Sequence, residues 1–274
     1  MIELPEAITL GRQINETLAG LTITGVFNAT SLNKFAFFNG DPTAYKALLT
    51  GRKLVSAKGM GIFVDIHLDE EVLLSVCDGV KLYYGDRSAT VPAKYQLLLT
   101  FSDDSFLAFS IAMYGGIYAC KGEFTNSYHA KSFGRVSPLS PEFDESYFKA
   151  CITGEKKDLT LKAFLATEQR FPGIGNGVLQ DILFQASLHP KRKLSSLSET
   201  DKEHLFQSVR QTLTDMTDRK GRDTETDLFG NKGGYATLLS KNTVTQPCPN
   251  CKGSIRKENY MGGAIYYCPS CQPI

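Results

Sequence analysis

Apolar and polar residues follow one rhythm in the first half of this chain and another in the second. Ile8, Ile14 and Leu18 lie near one face of a helix predicted over residues 1–19. Pro5 and Glu6 suit its first turn and Gly20 its end. A second short helix is predicted after Asp41-Pro42, an N-cap residue followed by proline at the first helical position. Around these, apolar runs and alternations predict strands over Ile62–Leu68, Val72–Val76, Lys81–Tyr84, Tyr95–Phe101, Phe106–Ile111 and Gly116–Cys120, with Asp103-Asp104-Ser105 as a hairpin turn. This half predicts a β-sandwich or barrel with one or two helices attached.

Residues 131–143 carry Gly134, Pro138 and Pro141 and read as a linker. From about Phe143 the period becomes helical: Leu205, Val209 and Leu213 step along one face, and Ser198-Glu-Thr-Asp201 resembles a capping box with Asp in the last place. The polar, glycine-rich stretch 217–234 reads as a mobile loop. The expected division is a sandwich domain over 1–130, the linker over 131–143, a helical domain over 144–240 and a metal-binding tail over 241–274.

That tail contains Cys248-Pro-Asn-Cys251 and Cys268-Pro-Ser-Cys271. Each Cys-x2-Cys pair forms a tight knuckle, and the segment between them is long enough for a β-hairpin to bring the knuckles together around one tetrahedral Zn²⁺. Gly262-Gly263, flanked by Ile255-Arg256-Lys257 and Ile265-Tyr266-Tyr267, marks the turn. Four thiolates close the coordination shell, so the zinc is expected to be structural.

Composition narrows the class. At 274 residues the chain can bury two cores beside the zinc unit. No apolar stretch approaches a membrane span, and no leader-like segment is visible. Cys77, Cys120 and Cys151 sit in apolar runs as small hydrophobes, which predicts a reducing, cytoplasmic setting. The net charge of +1 argues against indiscriminate polyanion binding. The tail is nevertheless basic, with Lys241, Lys252, Arg256 and Lys257 against the single acid Glu258.

Phe171-Pro-Gly-Ile-Gly175-Asn176-Gly177-Val178 leads directly into an apolar helix reaching Ala186. A glycine-rich turn at a helix N-terminus presents backbone N–H groups at the positive end of the dipole, a ready site for an anion such as phosphate. The plain alternative is an inter-helix turn that binds nothing. His189-Pro-Lys191-Arg192-Lys193 adds charge beside it, which tilts the partner toward a nucleic acid backbone.

A chain opening with Glu3-Leu-Pro-Glu6, carrying Gly-Ile-Gly-Asn in a helical middle section and ending in Cys-x2-Cys-x16-Cys-Pro-x-Cys-Gln resembles the formamidopyrimidine-DNA glycosylase / endonuclease VIII family. The resemblance runs the length of the chain and includes Pro138-Leu-Ser-Pro-Glu-Phe-Asp144 as the inter-domain segment. It implies an α+β multidomain protein: an N-terminal β-sandwich with flanking helices, a helix–two-turn–helix domain and a C-terminal zinc β-hairpin. A monomer would grip damaged double-stranded DNA in the cleft, in the cytoplasm on the nucleoid. The implied chemistry is removal of oxidised bases, with AP-lyase strand cleavage through a Schiff base on the N-terminal amine. An α-amine of pKa about 8 leaves neutral amine available near neutral pH.

The resemblance carries roles onto particular residues. Ile2 takes the nucleophile's position, Glu3 that of the acid/base group, and Glu6 a second acidic position. Lys58 aligns with a phosphate-holding strand lysine, and if buried could itself be a substitute amine. Gly175, Asn176 and Arg256 are expected on the DNA backbone. Ala112-Met113-Tyr114-Gly115 stands where a loop fills the hole left by the extruded base, so Met113 and Tyr114 are wedge candidates. Arg222 and Asp227–Tyr235 take the place of a flexible lesion-sensing loop.

Three family features are missing. The family begins with proline after methionine removal, whereas Ile2 is bulky enough to protect Met1 from removal. A retained Met1 turns the Ile2 nitrogen into an amide. The hairpin arginine is replaced by Gly263, and the void-filling arginine is absent. These losses leave open a silent binder of damaged or abasic DNA. A zinc-ribbon RNA-binding protein is a further alternative, resting on the hairpin and basic tail alone.

Overall fold

The structure is a computed structural model that describes residues 1–31 and 33–274. Helix α1 (Leu4–Leu18) opens the chain, followed by strand β1 (Ile23–Asn28), the short β2 (Ala36–Phe37) and helix α2 (Tyr45–Leu49). Asp41 does cap the turn into α2, accepting from the Thr43 N–H at 2.9 Å, although the first residues, Pro42–Ala44, form a 3-10 turn. Strands β3 (Leu54–Met60), β4 (Phe63–Leu68), β5 (Val72–Gly85), β6 (Leu97–Phe101) and β7 (Phe106–Lys121) complete the first half.

These strands form one hydrogen-bonded sheet in the order β1-β6-β7-β5-β4-β3, with β2 added parallel to β7. The two strands predicted over 72–76 and 81–84 are one strand, and so are those predicted over 106–111 and 116–120. Each long strand crosses from one half of the sheet to the other, and their pairing shifts register between Asp78 and Val80. A break in the apolar pattern there marked an irregularity inside a strand, not a loop between strands. Residues 112–115, expected as a loop, lie within β7. Apolar side chains from both halves, among them Val26, Leu99, Phe109, Val64 and Val76, share one core with Ala7, Leu10, Ile14 and Leu18 of α1.

Helix α3 (Ser127–Gly134) follows, so the expected linker opens inside a helix. Its cap is Asn126, which accepts from the Tyr128 and His129 N–H groups. His129 Nε2 lies 2.7 Å from the buried Asp65 carboxylate and ties α3 to the sheet. Helices α4 (Glu145–Thr153), α5 (Leu161–Ala166), α6 (Asn176–Gln185) and α7 (Glu199–Asp218) surround a second core built on Phe143, Phe148, Phe164 and Phe171. Leu4 of α1 belongs to that second core, so the first helix is shared between the two units. Ser198 and Asp201 form the predicted capping box of α7. Strands β8 (Arg256–Tyr260) and β9 (Gly263–Tyr267) form the final hairpin, turning at Met261 and Gly262, both at positive φ. Among the described residues no helix is long and apolar enough to cross a membrane. Of the three scattered cysteines only Cys77 is fully buried; Cys120 and Cys151 are partly accessible.

Candidate DNA-repair site at the domain junction

The four tail cysteines meet as predicted. Their Sγ atoms all lie within 4.8 Å of one another, with Cys248–Cys271 at 3.8 Å and Cys251–Cys268 at 3.5 Å. A tetrahedron with Zn–S bonds of about 2.3 Å has edges of about 3.8 Å, so the thiols suit one structural zinc. Gln272 reinforces the knuckle by accepting from Cys268 N–H and donating to Leu188 O.

The hairpin is seated on α5 and α6 by Asn176, expected on the DNA backbone, and by Gln180 and Lys162, which sequence reasoning did not select. Asn176 Nδ2 and Gln180 Nε2 both donate to Ala264 O, and Gln180 Oε1 accepts from Tyr266 N–H. The buried Lys162 ammonium donates to Tyr260 O at 2.6 Å, and burial holds its pKa below the ordinary lysine value. A lysine inside the apolar run Leu161–Ala166 was the available signal, since a buried cation needs acceptors supplied by another element. Gly263, in place of the hairpin arginine, lies against the Asn176 side chain.

The N-terminus of α6 is occupied from within. Gly177 N–H donates to Glu3 Oε1 at 2.8 Å and Val178 N–H to Glu3 Oε2 at 2.7 Å. The phosphate site read from the glycine-rich turn is therefore corrected at these two groups: the anion at this helix end is the protein's own carboxylate. Glu3 faces α6 because it is the residue before α1, where the chain is still extended. Its own N–H is accepted by Glu6 Oε2 at 3.3 Å. Burial pushes the Glu3 carboxyl upward, a shift opposed by Arg222 and the two N–H donors and reinforced by Glu6.

Arg222 is also corrected. Expected in a mobile lesion-sensing loop, it is buried, with only 3% of its surface exposed. Its Nε and backbone N–H donate to Glu6 Oε1, each at 3.0 Å, and its Nη2 donates to Glu6 Oε2 at 2.8 Å. Nη1 lies 3.5 Å from Glu3 Oε2. The loop holding it is pinned at several points: Asp227 accepts from Gln13 Nε2, and Leu228 N–H donates to Gln13 Oε1. The polar composition of 217–234 suggested mobility because the acceptors that hold it lie on α1, far away in sequence.

The N-terminal residue completes the pocket. The Met1 amine is 2.5 Å from Glu225 Oε2, and Arg222 Nη2 donates to Met1 O at 3.3 Å. The Ile2 nitrogen is a backbone donor to Asp78 O at 2.7 Å, and the Ile2 side chain is in the first core. A pocket of about 190 Å³ gathers Met1, Glu3, Asn176, Arg222, Glu225 and Lys241. Thus Glu3 and Asn176 come together, with Tyr114 beside them, its hydroxyl 3.5 Å from Met1 Sδ. Lys58 does not line the pocket: it is exposed on β3, its ammonium 5.7 Å from the Phe133 ring, so its reading as a buried substitute amine is corrected. Arg256 and Met113 are exposed and also outside the pocket lining. Glu225 was missed, having no partner visible along the sequence.

A profile described as the formamidopyrimidine-DNA glycosylase H2TH domain matches residues 135–227. The formamidopyrimidine-DNA glycosylase of Carboxydothermus hydrogenoformans is 28% identical, covering 99% of this chain and 100% of its own. That of Bacillus cereus is 26% identical, covering 100% and 99%. Along its whole length the chain is similar to formamidopyrimidine-DNA glycosylases, and residues 135–227 match their H2TH domain. Solved structures share the family's fold: MutM (Fpg) from Thermus thermophilus superposes with a TM-score of 0.80 at 22% identity over 98% of each chain. Fpg from Lactococcus lactis, in complex with DNA containing an abasic site, gives 0.81 at 20% identity over 99% of this chain and 100% of that one.

Proposed function

We propose that this protein recognises damaged double-stranded DNA in base-excision repair, removes oxidised bases and cleaves the resulting abasic site by AP-lyase chemistry. Its place would be the cytoplasm, on the nucleoid. The observation that carries the reading is the junction pocket, where a primary amine and a buried carboxylate meet between the sandwich, the helical domain and the zinc hairpin. The full-length kinship with formamidopyrimidine-DNA glycosylases supports it.

The chemistry asks for an amine that loses its proton and adds to C1′ of the damaged nucleotide, and for an acid/base group at the sugar. Glu3 supplies the second: it lines the pocket, and burial raises its carboxyl above the ordinary carboxylate value. Glu225 is the acceptor beside the amine. Asn176, Gly175, Lys58 and Arg256 would hold phosphates, and Met113 and Tyr114 would fill the gap left by an extruded base, whose unstacking costs a few kcal/mol. The zinc, when bound, supplies hairpin closure and no chemistry.

A second reading, a damage binder without turnover, is favoured by one specific observation. The Ile2 nitrogen is an amide committed to Asp78 O, and the Met1 amine is held in an ion pair. Borohydride trapping of the full chain on a duplex with one abasic site, with mass spectrometry of the adduct, decides between them. An adduct at residue 1 or 2 supports the lyase. Tight binding without an adduct supports the silent binder. Absence of preference for damaged over intact duplex would sink both.

A further inference from the structure

Arg222 enters no step of the chemistry above, yet it is the most heavily invested side chain at the junction. It joins three separate pieces of chain: the start of α1 through Glu6, the start of α6 through Glu3, and its own loop. The fold is shaped around its guanidinium. A Cβ on Gly177 would stand 1.5 Å from Arg222 Nη1, and one on Gly233 would stand 2.6 Å from the Arg222 nitrogen. Gly221, immediately before it, has φ +99°, which L side chains rarely adopt. Arginine's fork reaches two carboxylates at once, which a lysine point charge cannot do.

We propose that Arg222 is the positioning residue of this pocket: it holds the Glu3 carboxylate on the α6 N-terminus and fixes its charge state. This deepens the reading of Glu3 as the acid/base group and rests on it. Two carboxylates and one guanidinium share a buried space, so the pair would repel without the cation. The other ionisable groups around Glu3 are the Met1 amine, Glu225 in the same loop, Lys241 on the pocket wall, Tyr114 on β7 and Asp78 on β5. The Met1 amine is paired with Glu225, and burial drives Asp78 and Tyr114 toward their neutral forms. Lys241 is exposed to solvent. Arg222 is the cation with a direct, buried contact to Glu3.

The test is a ¹³C-carboxylate NMR titration of the full-length zinc-loaded protein, with the Glu3 signal identified by its loss in Glu3→Gln. Replacing Arg222 by Met should move the Glu3 midpoint up by about 1–3 pH units, and Arg222→Lys should move it much less. An unmoved midpoint in folded Arg222→Met overturns the proposal. If that variant does not fold, Gly177→Ala displaces the guanidinium with its charge kept, and the Glu3 midpoint must again rise. A midpoint equal to wild type there overturns the proposal too. Binding of the wild type to a duplex carrying a tetrahydrofuran abasic analogue is measured beside it. No binding would remove the DNA-repair reading while leaving the link between Arg222 and Glu3 to stand or fall on the titration.

Discussion

Helix α6 has two seams, and they are built from different chemistry. Toward the N-terminus its first N–H groups meet Glu3, which belongs to a buried ionic set with Arg222 and Glu6. Toward the zinc hairpin, Asn176 and Gln180 meet backbone groups of Ala264 and Tyr266 through neutral amides. Neutral amides satisfy their partners at any pH. A buried ionic set is tolerable only while every member is present, because its desolvation cost is borne by each charge separately. The hairpin seam is therefore suited to holding a rigid part in place, and the N-terminal seam to a site whose protonation state matters.

The hairpin seam depends on the zinc, and removing it is the largest perturbation. Cys248→Ala should release the hairpin, since structural zinc contributes apparent free energies of about 10–16 kcal/mol in small zinc modules. Far-UV and near-UV spectra should show the sandwich intact, while zinc content and affinity for damaged duplex both fall. Lost zinc with unchanged DNA affinity would show that the amide seam alone holds the hairpin, and unchanged zinc content would show that Cys248 is not needed to bind it.

The ionic seam breaks next. Arg222→Met strands Glu3 and Glu6, with 2% and 5% exposure, as unpaired buried carboxylates. Leaving a buried charge uncompensated costs about 3–5 kcal/mol. Denaturant unfolding at neutral pH should show a loss of this size, shrinking as the pH is lowered and the carboxyls take up protons. A loss equal at all pH values would mean that packing, not charge, is what Arg222 provides.

The two seams also show what could be read in the sequence. The zinc ligands and the capping box of α7 were legible because their partners lie within a few residues or repeat at a diagnostic spacing. Glu3 was legible as an acid at the start of α1, but its capping of α6 was not: donor and acceptor are separated by more than 170 residues. The same holds for Arg222 with Glu6, Gln13 with Asp227 and Lys162 with the hairpin carbonyls. A polar, glycine-rich segment such as 217–234 looks mobile when its partners are out of view. In the sheet, the breaks near Asp78 and Met113 were read as strand ends because a bulge interrupts alternation just as a loop does.

Asp181 gives the pH comparison a sharper form. It accepts from Leu238 and Leu239 N–H, and burial lifts its carboxyl to about 6. The folded state then binds a proton more tightly than the unfolded chain, so stability declines as pH rises from about 4 to 6, and the lower stability persists above that window. Two pKa units correspond to about 3 kcal/mol. Glu3, also raised by burial, acts in the same direction. In Asp181→Asn part of this decline should vanish, so that in urea unfolding the stability of wild type relative to the variant falls by about 3 kcal/mol between pH 4 and pH 7. Parallel pH dependence would assign the slope to Glu3 and the remaining acids.

The smallest expected effect tests whether the hairpin seam tolerates restoring what the family carries there. A Cβ at Gly263 would lie 3.4 Å from Asn176 Cγ and Nδ2, an ordinary contact distance, and Gly263 does not occupy the positive-φ region. Gly263→Ala should therefore change stability by no more than about 0.5 kcal/mol, the usual range for a substitution that meets no strain. Gly177→Ala, at the other seam, meets Arg222 at 1.5 Å and should lose far more. With the backbone permissive, Gly263→Arg adds a cation beside Asn176. If that face lies on DNA, affinity for duplex should rise, and the slope of log affinity against log salt should steepen by about one. An unchanged salt slope in a folded Gly263→Arg protein would place the hairpin tip away from the phosphates and shift the DNA path toward Lys58 and Arg256.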